Sequence, residues 1–436
     1  MAYAKAGYPT ELASKVGHIK LIQDPMVQKL IESFENHRPS ADKEFPEPSG
    51  VVDLTAPPQI TQVVTVDGGH QAVPNLVRPE RQIGFVQVAV QLVKLETIDY
   101  LAQHPMADPR DVQKMFGRFT DHILAALPVV GVHLPGRTLR ETLRESIHRF
   151  IAHYQLYPGF AYLVYRQWET QLSCAPPSMD CYGCGGAFEL PRNETIFDCP
   201  LCSHSHWLSD YLGLCDRDSE ERSSEETVSN FRAALEALAL FGVVARFLDD
   251  ESIMARTLFL LDGPLTLRAQ LSRLVEPIRA LITRQRARGR TLNLVGVEKN
   301  GDLRAFADAY SMKLHHDGEF FVPSVQYVLE SINGRVFDTK LYRNRVNYGA
   351  KVIARLGADH VLALNVPTGE FVKEPTRTDL IGLDDTLRTL SRLRSYAYEN
   401  ALIPVVLANS AASISNRPSA GLLTQFVDSL LGVAHG

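Results

Sequence analysis

Three sets of residues in this sequence have the types and spacing to do chemistry: paired cysteines, carboxylates that follow apolar runs, and arginines gathered in one stretch. The sharpest is Cys181-Tyr-Gly-Cys184 with Cys199-Pro-Leu-Cys202, two Cys-x-x-Cys knuckles fourteen residues apart. Each knuckle aims two thiolates at one point, and four thiolates make a closed tetrahedral site of the kind Zn2+ takes in a ribbon. A closed site leaves no position for substrate, so its expected role is structural, and so small a module folds together with its metal. Disulfides are disfavoured in a reducing cytoplasm. Cys174 and Cys215 flank the module without paired spacing and read as free thiols, and His204 and His206 are spare ligands beside a complete set.

The second set is acidic. Gln62-Val63-Val64-Thr65-Val66 runs into Asp67-Gly68-Gly69, and Thr257-Leu258-Phe259-Leu260-Leu261 runs into Asp262-Gly263-Pro264. Both runs have the length and residue types of strands buried on two faces. Gly and Pro are expected to stop each strand at its Asp. Neighbouring strands of this kind would set two carboxylates side by side, a repulsion that a divalent cation relieves. Turn chemistry alone also favours Asp-Gly pairs, so each motif singly reads as a turn.

Order and strand context together carry a resemblance. Val66-Asp67-Gly68-Gly69, then Leu261-Asp262-Gly263-Pro264-Leu265, then Leu294-Val295-Gly296-Val297-Glu298-Lys299 resembles the NurA nucleases across most of the chain outside a central insertion. The resemblance implies an RNase H-like mixed α/β sheet with flanking helices. It also implies a Mn2+- or Mg2+-dependent DNA nuclease, a homodimer working with a HerA-type hexameric ATPase in DNA end processing, repair or anti-phage defence. Asp67 and Asp262 would be metal ligands and catalytic, with an acidic residue on the preceding helix as the third. Glu236 is the first candidate for it and Glu226 the second, and about 80 degrees of helix separate the two. Lys299 would lie near the site, with Glu298 a further acidic candidate. One departure stands out: Ile403 falls where the family has Tyr, and Ala411 where it has His, with Asn409 and Ser410 nearby. The alternative is therefore a catalytically weakened adaptor subunit that binds DNA and its ATPase.

The elements that must position these residues follow from periodicity. Residues 1–50 read as a helical segment and a linker rich in Pro and charge. Residues 51–108 hold the first part of the nuclease domain, a hairpin that includes Ile83 to Val93. Within 109–220 two stripes at helical spacing, Val112 to Leu124 and Leu139 to Tyr154, predict a helical insertion, with the ribbon at 174–215. The second part of the nuclease domain spans 221–436. After Asp262 the spacing predicts a helix to about Arg290 that carries Arg268, Arg284, Arg286 and Arg288. Arg343 and Arg345 lie in a second basic stretch. Net charge is −5, so DNA would be met by these local patches and not by a general field. No apolar run approaches the ~20 residues of a membrane span. The first residues lack a secretory apolar core, so the expected location is the cytoplasm.

Overall fold

The computed structural model describes residues 24–33, 45–76, 78–103, 120–169, 175–216, 223–335, 343–395, 400–414 and 419–431. Thirteen strands are placed among them. They are β1 (Gly50–Val51), β2 (Gln62–Pro74), β3 (Gln82–Lys94), β4 (Thr120–Val130), β5 (Ser178–Asp180), β6 (Ala187–Glu189), β7 (Ile196–Asp198), β8 (Ser205–Trp207), β9 (Thr257–Asp262), β10 (Leu294–Glu298), β11 (Glu319–Phe321), β12 (Ala350–Gly357) and β13 (His360–Val366). Nine form one sheet in the order β1-β11-β12-β13-β10-β9-β2-β3-β4. One end of it is an antiparallel meander, β4-β3-β2, continued inward by β9 parallel to β2 and β10 parallel to β9. This is an RNase H-like mixed sheet, extended beyond β10 by antiparallel strands.

The central strands are apolar on both faces because helices cover both. Leu258 and Leu260 of β9 enter one core and Phe259 the other. On the first face lie α1 (Leu139–His153), α2 (Tyr157–Val164), α3 (Ser224–Phe247) and α4 (Val275–Ala287). On the second lie α5 (Leu383–Arg392) and α6 (Ile403–Ala412). The Ser223 hydroxyl caps α3 by accepting the Glu226 amide at 3.2 Å, with Glu225 and Glu226 at the positive end and Arg246 at the negative end. Among the described residues α3 is the one helix long and apolar enough to cross a membrane; most of it is buried in the protein core.

The structure corrects two readings of the sequence. Thr120–Val130 is a strand pairing with β3, where the stripe ending at Ile123 and Leu124 predicts a helix. Ile123, Ala125, Leu127 and Val129 alternate inward, the period of two that a short window blurs with helical spacing. Residues 112–119 lie outside the described set. Nor does β2 stop at Asp67: it continues through Gly68 and Gly69 to Pro74, paired with β3 throughout. Those glycines serve close approach. A Cβ on Gly68 would stand 2.6 Å from Glu236 Oε1, and one on Gly69 would stand 2.2 Å from the Ala412 carbonyl. Helices press on β2 from both sides at these positions, and only Gly leaves room.

Candidate active site

The parallel pairing of β2 with β9 ends at Val66 opposite Leu261, so the next residues, Asp67 and Asp262, leave the shared ladder together. Asp262 faces Val297 on β10, which places Glu298 and Lys299 at the same end of the sheet. A cleft of about 860 Å³ opens there, lined by Asp67, Arg232, Asp262, Arg268, Lys299 and Lys351 among others. Asp67 is buried; its Oδ1 accepts the Gly68 amide at 2.8 Å and its Oδ2 has no partner among the described residues. Burial first, and the charge of Asp262 second, push Asp67 up to about 6. Lys299 Nζ donates to Asp262 Oδ2 at 2.7 Å. Glu298, the further acidic candidate, is engaged by Lys351 and by Asn365 Nδ2 at 2.7 Å.

Glu236 reaches this region from behind β2. Strand alternation sends Val64 and Val66 into the core under α3, and Val63 with Asp67 toward the face of α6. Gly68 therefore faces α3, and Glu236 lies against it, paired with Arg232 of the preceding turn. Burial raises Glu236 to about 8; Arg232 opposes the rise, and Asp67 and Asp262 add to it. Glu226 sits exposed in the first turn of α3, ten residues or ~15 Å of helix away. Of the two candidates, Glu236 is the one brought to the aspartates. Its carboxylate does not line the cleft, because Arg232 stands between.

The C-terminal end of α6 covers the same place on the other face. The Ala412 carbonyl lies over Gly69, and Gln87 Nε2 donates to the Ala411 carbonyl at 2.5 Å. Ala411 thus stands at Gln87, beside the strand position two residues past Asp67, with no ring to offer, and Asn409 and Ser410 are exposed. Ile403, at the start of α6 and ~12 Å along its axis, packs against the apolar core.

The arginine run is not where its sequence position suggests. β9 and β10 are parallel, so the connection between them must carry the chain back along the sheet. From this connection Gly263, Pro264, Thr266 and the exposed Arg268 line the cleft, and a 3-10 turn (Ala269–Leu274) then leads into α4. The 13-residue α4 spans ~20 Å and leaves Arg284, Arg286 and Arg288 at the far end, where Arg286 donates to the Thr378 carbonyl at 2.9 Å. Arg345 is exposed next to cleft-lining Val346, and the Arg343 side chain lies outside the described set. Lys351, in the second basic stretch of the sequence, does line the cleft, whereas sequence reasoning missed Arg232. For Arg232 the available signal was its position four residues before Glu236, the spacing of an ion pair on one helix face.

The second centre is the ribbon. The sulfurs of Cys181, Cys184, Cys199 and Cys202 all lie within 4.8 Å of one another, and among the described residues theirs is the one trio or larger set so gathered. Four soft thiolates at this spacing fit a tetrahedral ion such as zinc. The Gly183 and Leu201 amides donate to Cys181 and Cys199 at 3.2 and 3.4 Å, the knuckle pattern that orients the sulfurs. His206 is buried and is not a fifth ligand: its Nε2 lies 3.3 Å from Cys181 Sγ and its Nδ1 3.1 Å from Asp210 Oδ2. Asp210 in turn takes Arg144 of α1 through two bonds. Met179, Phe188, Leu190 and Phe197 join the main core, so the ribbon is built into the domain. Cys215 is a buried thiol, pushed up to about 12 by burial; Cys174 is outside the described set.

No protein-family model matches the chain, and no curated protein matches it. The chain is similar to three solved NurA structures along nearly its whole length. For the NurA nuclease from Sulfolobus solfataricus, identity is 10%, coverage is 97% of this chain and 98% of that one, and the TM-score is 0.37. A second NurA structure gives 10%, 98% and 99%, with a TM-score of 0.29. NurA bound to dAMP and manganese gives 11%, 97% and 94%, with a TM-score of 0.26. Likenesses this distant leave the functional reading to the cleft itself.

Proposed function

We propose that this chain is a NurA-type, metal-dependent DNA nuclease that hydrolyses phosphodiester bonds. The observation that supports it most is the Asp67–Asp262 pair. Two carboxylates leave adjoining parallel strands of an RNase H-like sheet, and one of them keeps a buried oxygen without a partner among the described residues. Hard carboxylate oxygens suit Mn2+ or Mg2+, and Asp67 and Asp262 would hold the ion with Glu236 as the third acid. Such an ion supplies an activated water and neutralises charge developing on the phosphate. Lys299, which pairs with Asp262 at the cleft, would hold phosphate beside exposed Arg268. The four cysteines hold structural Zn2+. By the motif resemblance the working unit is a cytoplasmic homodimer fed by a HerA-type ATPase, in DNA end processing, repair or anti-phage defence.

A second reading rests on a specific observation. Cations already engage Asp262 and Glu236, and the end of α6 that lies over Gly69 offers Ala411 where the family has His. A chain so built would serve as a DNA-binding adaptor of the same ATPase. Cleavage of linear DNA with Mn2+, with and without the ATPase, decides between them. Activity abolished by Asp262→Asn establishes the nuclease; no cleavage by the native chain with its partner present establishes the adaptor.

A further inference from the structure

The ribbon is the motif that the proposed function leaves without a task, and it forms one wall of a second groove. About 550 Å³ lies between the β6–β7 turn, the end of α2 and the residues that lead into α4. Among the described residues that line it, three arginines, Arg166, Arg192 and Arg273, stand against one acid, Glu276. In a chain of net charge −5 that is a local excess of cations. Arg192 is exposed and the Arg273 side chain is 33% exposed, so solvent reaches both. The turn that carries Arg192 is held in place: Tyr165 Oη donates to the Glu194 carbonyl at 2.6 Å, and Gln167 Nε2 to Asn193 Oδ1 at 2.8 Å. Arg166 is a second, independent sign. α2 ends in a Schellman motif, with the Gln167 amide bonded to the Tyr162 carbonyl and the Arg166 amide to that of Leu163. Arg166 therefore sits at φ 47°, where glycine is the default because a Cβ is strained. The chain keeps a long cation at this position, and that cation lines the groove beside Glu276. The groove also continues the cleft. Arg268 lines the cleft and Arg273 the groove, on one connection. Five residues of 3-10 turn rise ~10 Å, about three phosphates at the ~3.4 Å spacing of one DNA strand.

We infer that the groove between the ribbon and α4 is a track for the DNA backbone beyond the cleft. Arg273, Arg166 and Arg192 meet phosphates of the strand that passes Arg268 on its way from the aspartates. Such contacts carry no base information, so the track grips any sequence alike. The assignment rests on the reading of this chain as a DNA-processing protein, which the nuclease and the adaptor share. It also gives the ribbon's metal a consequence for substrate. Arg192 lies between the two knuckles, so four cysteines on one ion close the loop that presents it.

The test uses the full chain with Arg166→Gly, Arg192→Gln and the two together. Arg166→Gly removes a cation and gives the left-handed position its preferred residue, so it decides the matter if the double variant fails to fold. A single-stranded oligonucleotide of about 20 residues is titrated at several salt concentrations without added Mn2+ or Mg2+, beside a trinucleotide that reaches no farther than the cleft. Each single variant is expected to lose about fivefold in affinity for the long strand at about 0.1 M salt, and to lower the slope of log K against log salt by about 0.7. The double variant should lose about twenty-five-fold, with trinucleotide affinity within about twofold of native. Arg284→Gln with Arg288→Gln removes the same charge from the far end of α4 and should leave the slope unchanged. Native affinity and native slope in the groove variants overturn the assignment. If those variants also lose the ATPase, the groove meets an acidic segment of that partner instead. In either case the DNA-processing reading stands, because the native chain still binds DNA. A native chain that binds neither oligonucleotide removes that reading and this inference together.

Discussion

Replacing Asp67 with Asn removes a charge that the fold holds at a cost, and the size of that cost sets the expected outcome. Burial and the Asp262 carboxylate raise Asp67 from 3.8 to about 6. A shift of about 2 units corresponds to about 3 kcal/mol. A carboxyl raised above its unfolded value lends its stability in full below that value and loses it as pH rises through the folded one. The native chain is therefore penalised above about pH 6, and the penalty disappears below about pH 4. Asparagine keeps an acceptor for the Gly68 amide but places an NH2 where Oδ2 has no partner, which takes back ~1 kcal/mol or more. The net expectation is that Asp67→Asn is more stable by about 1–2 kcal/mol at pH 8 with a chelator, and no more stable near pH 4. Urea unfolding at both pH values reads this directly. Manganese at about a hundred times its Kd should then add ~2.7 kcal/mol to the native chain and little to the variant, reversing their order. A variant less stable at pH 8, or a gain equal at both pH values, would refute the reasoning.

Other outcomes follow from the same geometry. Glu236→Gln should abolish cleavage and raise metal-free stability above pH 8, where its acid is otherwise charged, while Glu226→Gln should leave the rate unchanged; initial rates and melting curves separate them. Reversing Arg284, Arg286 and Arg288 to Glu should leave cleavage unchanged, since α4 carries them to the far end of the sheet. Arg268→Glu should weaken DNA binding and lower its salt slope by about 1, measured by titration at several salt concentrations. The protein should hold about one zinc per chain by metal analysis. Cys199→Ser should lose that zinc and lower the melting temperature of the whole domain in a single transition, because Cys181 and Cys199 belong to the main core.

Much of the centre was legible in the sequence because the strands that build it are buried on both faces. Thr257–Asp262 and Leu294–Glu298 announce themselves as apolar runs, and the four cysteines fix their own cluster through spacing. What failed were readings in which a local signal competes with tertiary packing. Asp67-Gly68-Gly69 carries the chemistry of a turn, yet both glycines exist to admit Glu236 and Ala412 against a continuing strand. The alternation Ile123, Ala125, Leu127, Val129 was masked by apolar neighbours before it. The arginine run was misplaced because sequence adjacency to Asp262 says nothing about direction, and a parallel pair of strands forces the chain away from the site it has just left.

The parallel pairing of β2 with β9 has a consequence for how the chain is made. Gln62 bonds Thr257 across 195 residues of sequence. At a synthesis rate of about 5–20 residues per second, β2 waits roughly 10 to 40 s for its neighbour. Through that interval the meander β2-β3-β4 can close while one long edge of β2 stays open, the kind of edge that invites pairing with another nascent chain. The ribbon is synthesised within the same wait and packs on core side chains that β9 has yet to complete. Slow or metal-starved expression should therefore yield aggregates seeded by the meander, and co-expression conditions that supply zinc early should raise the yield of folded chain.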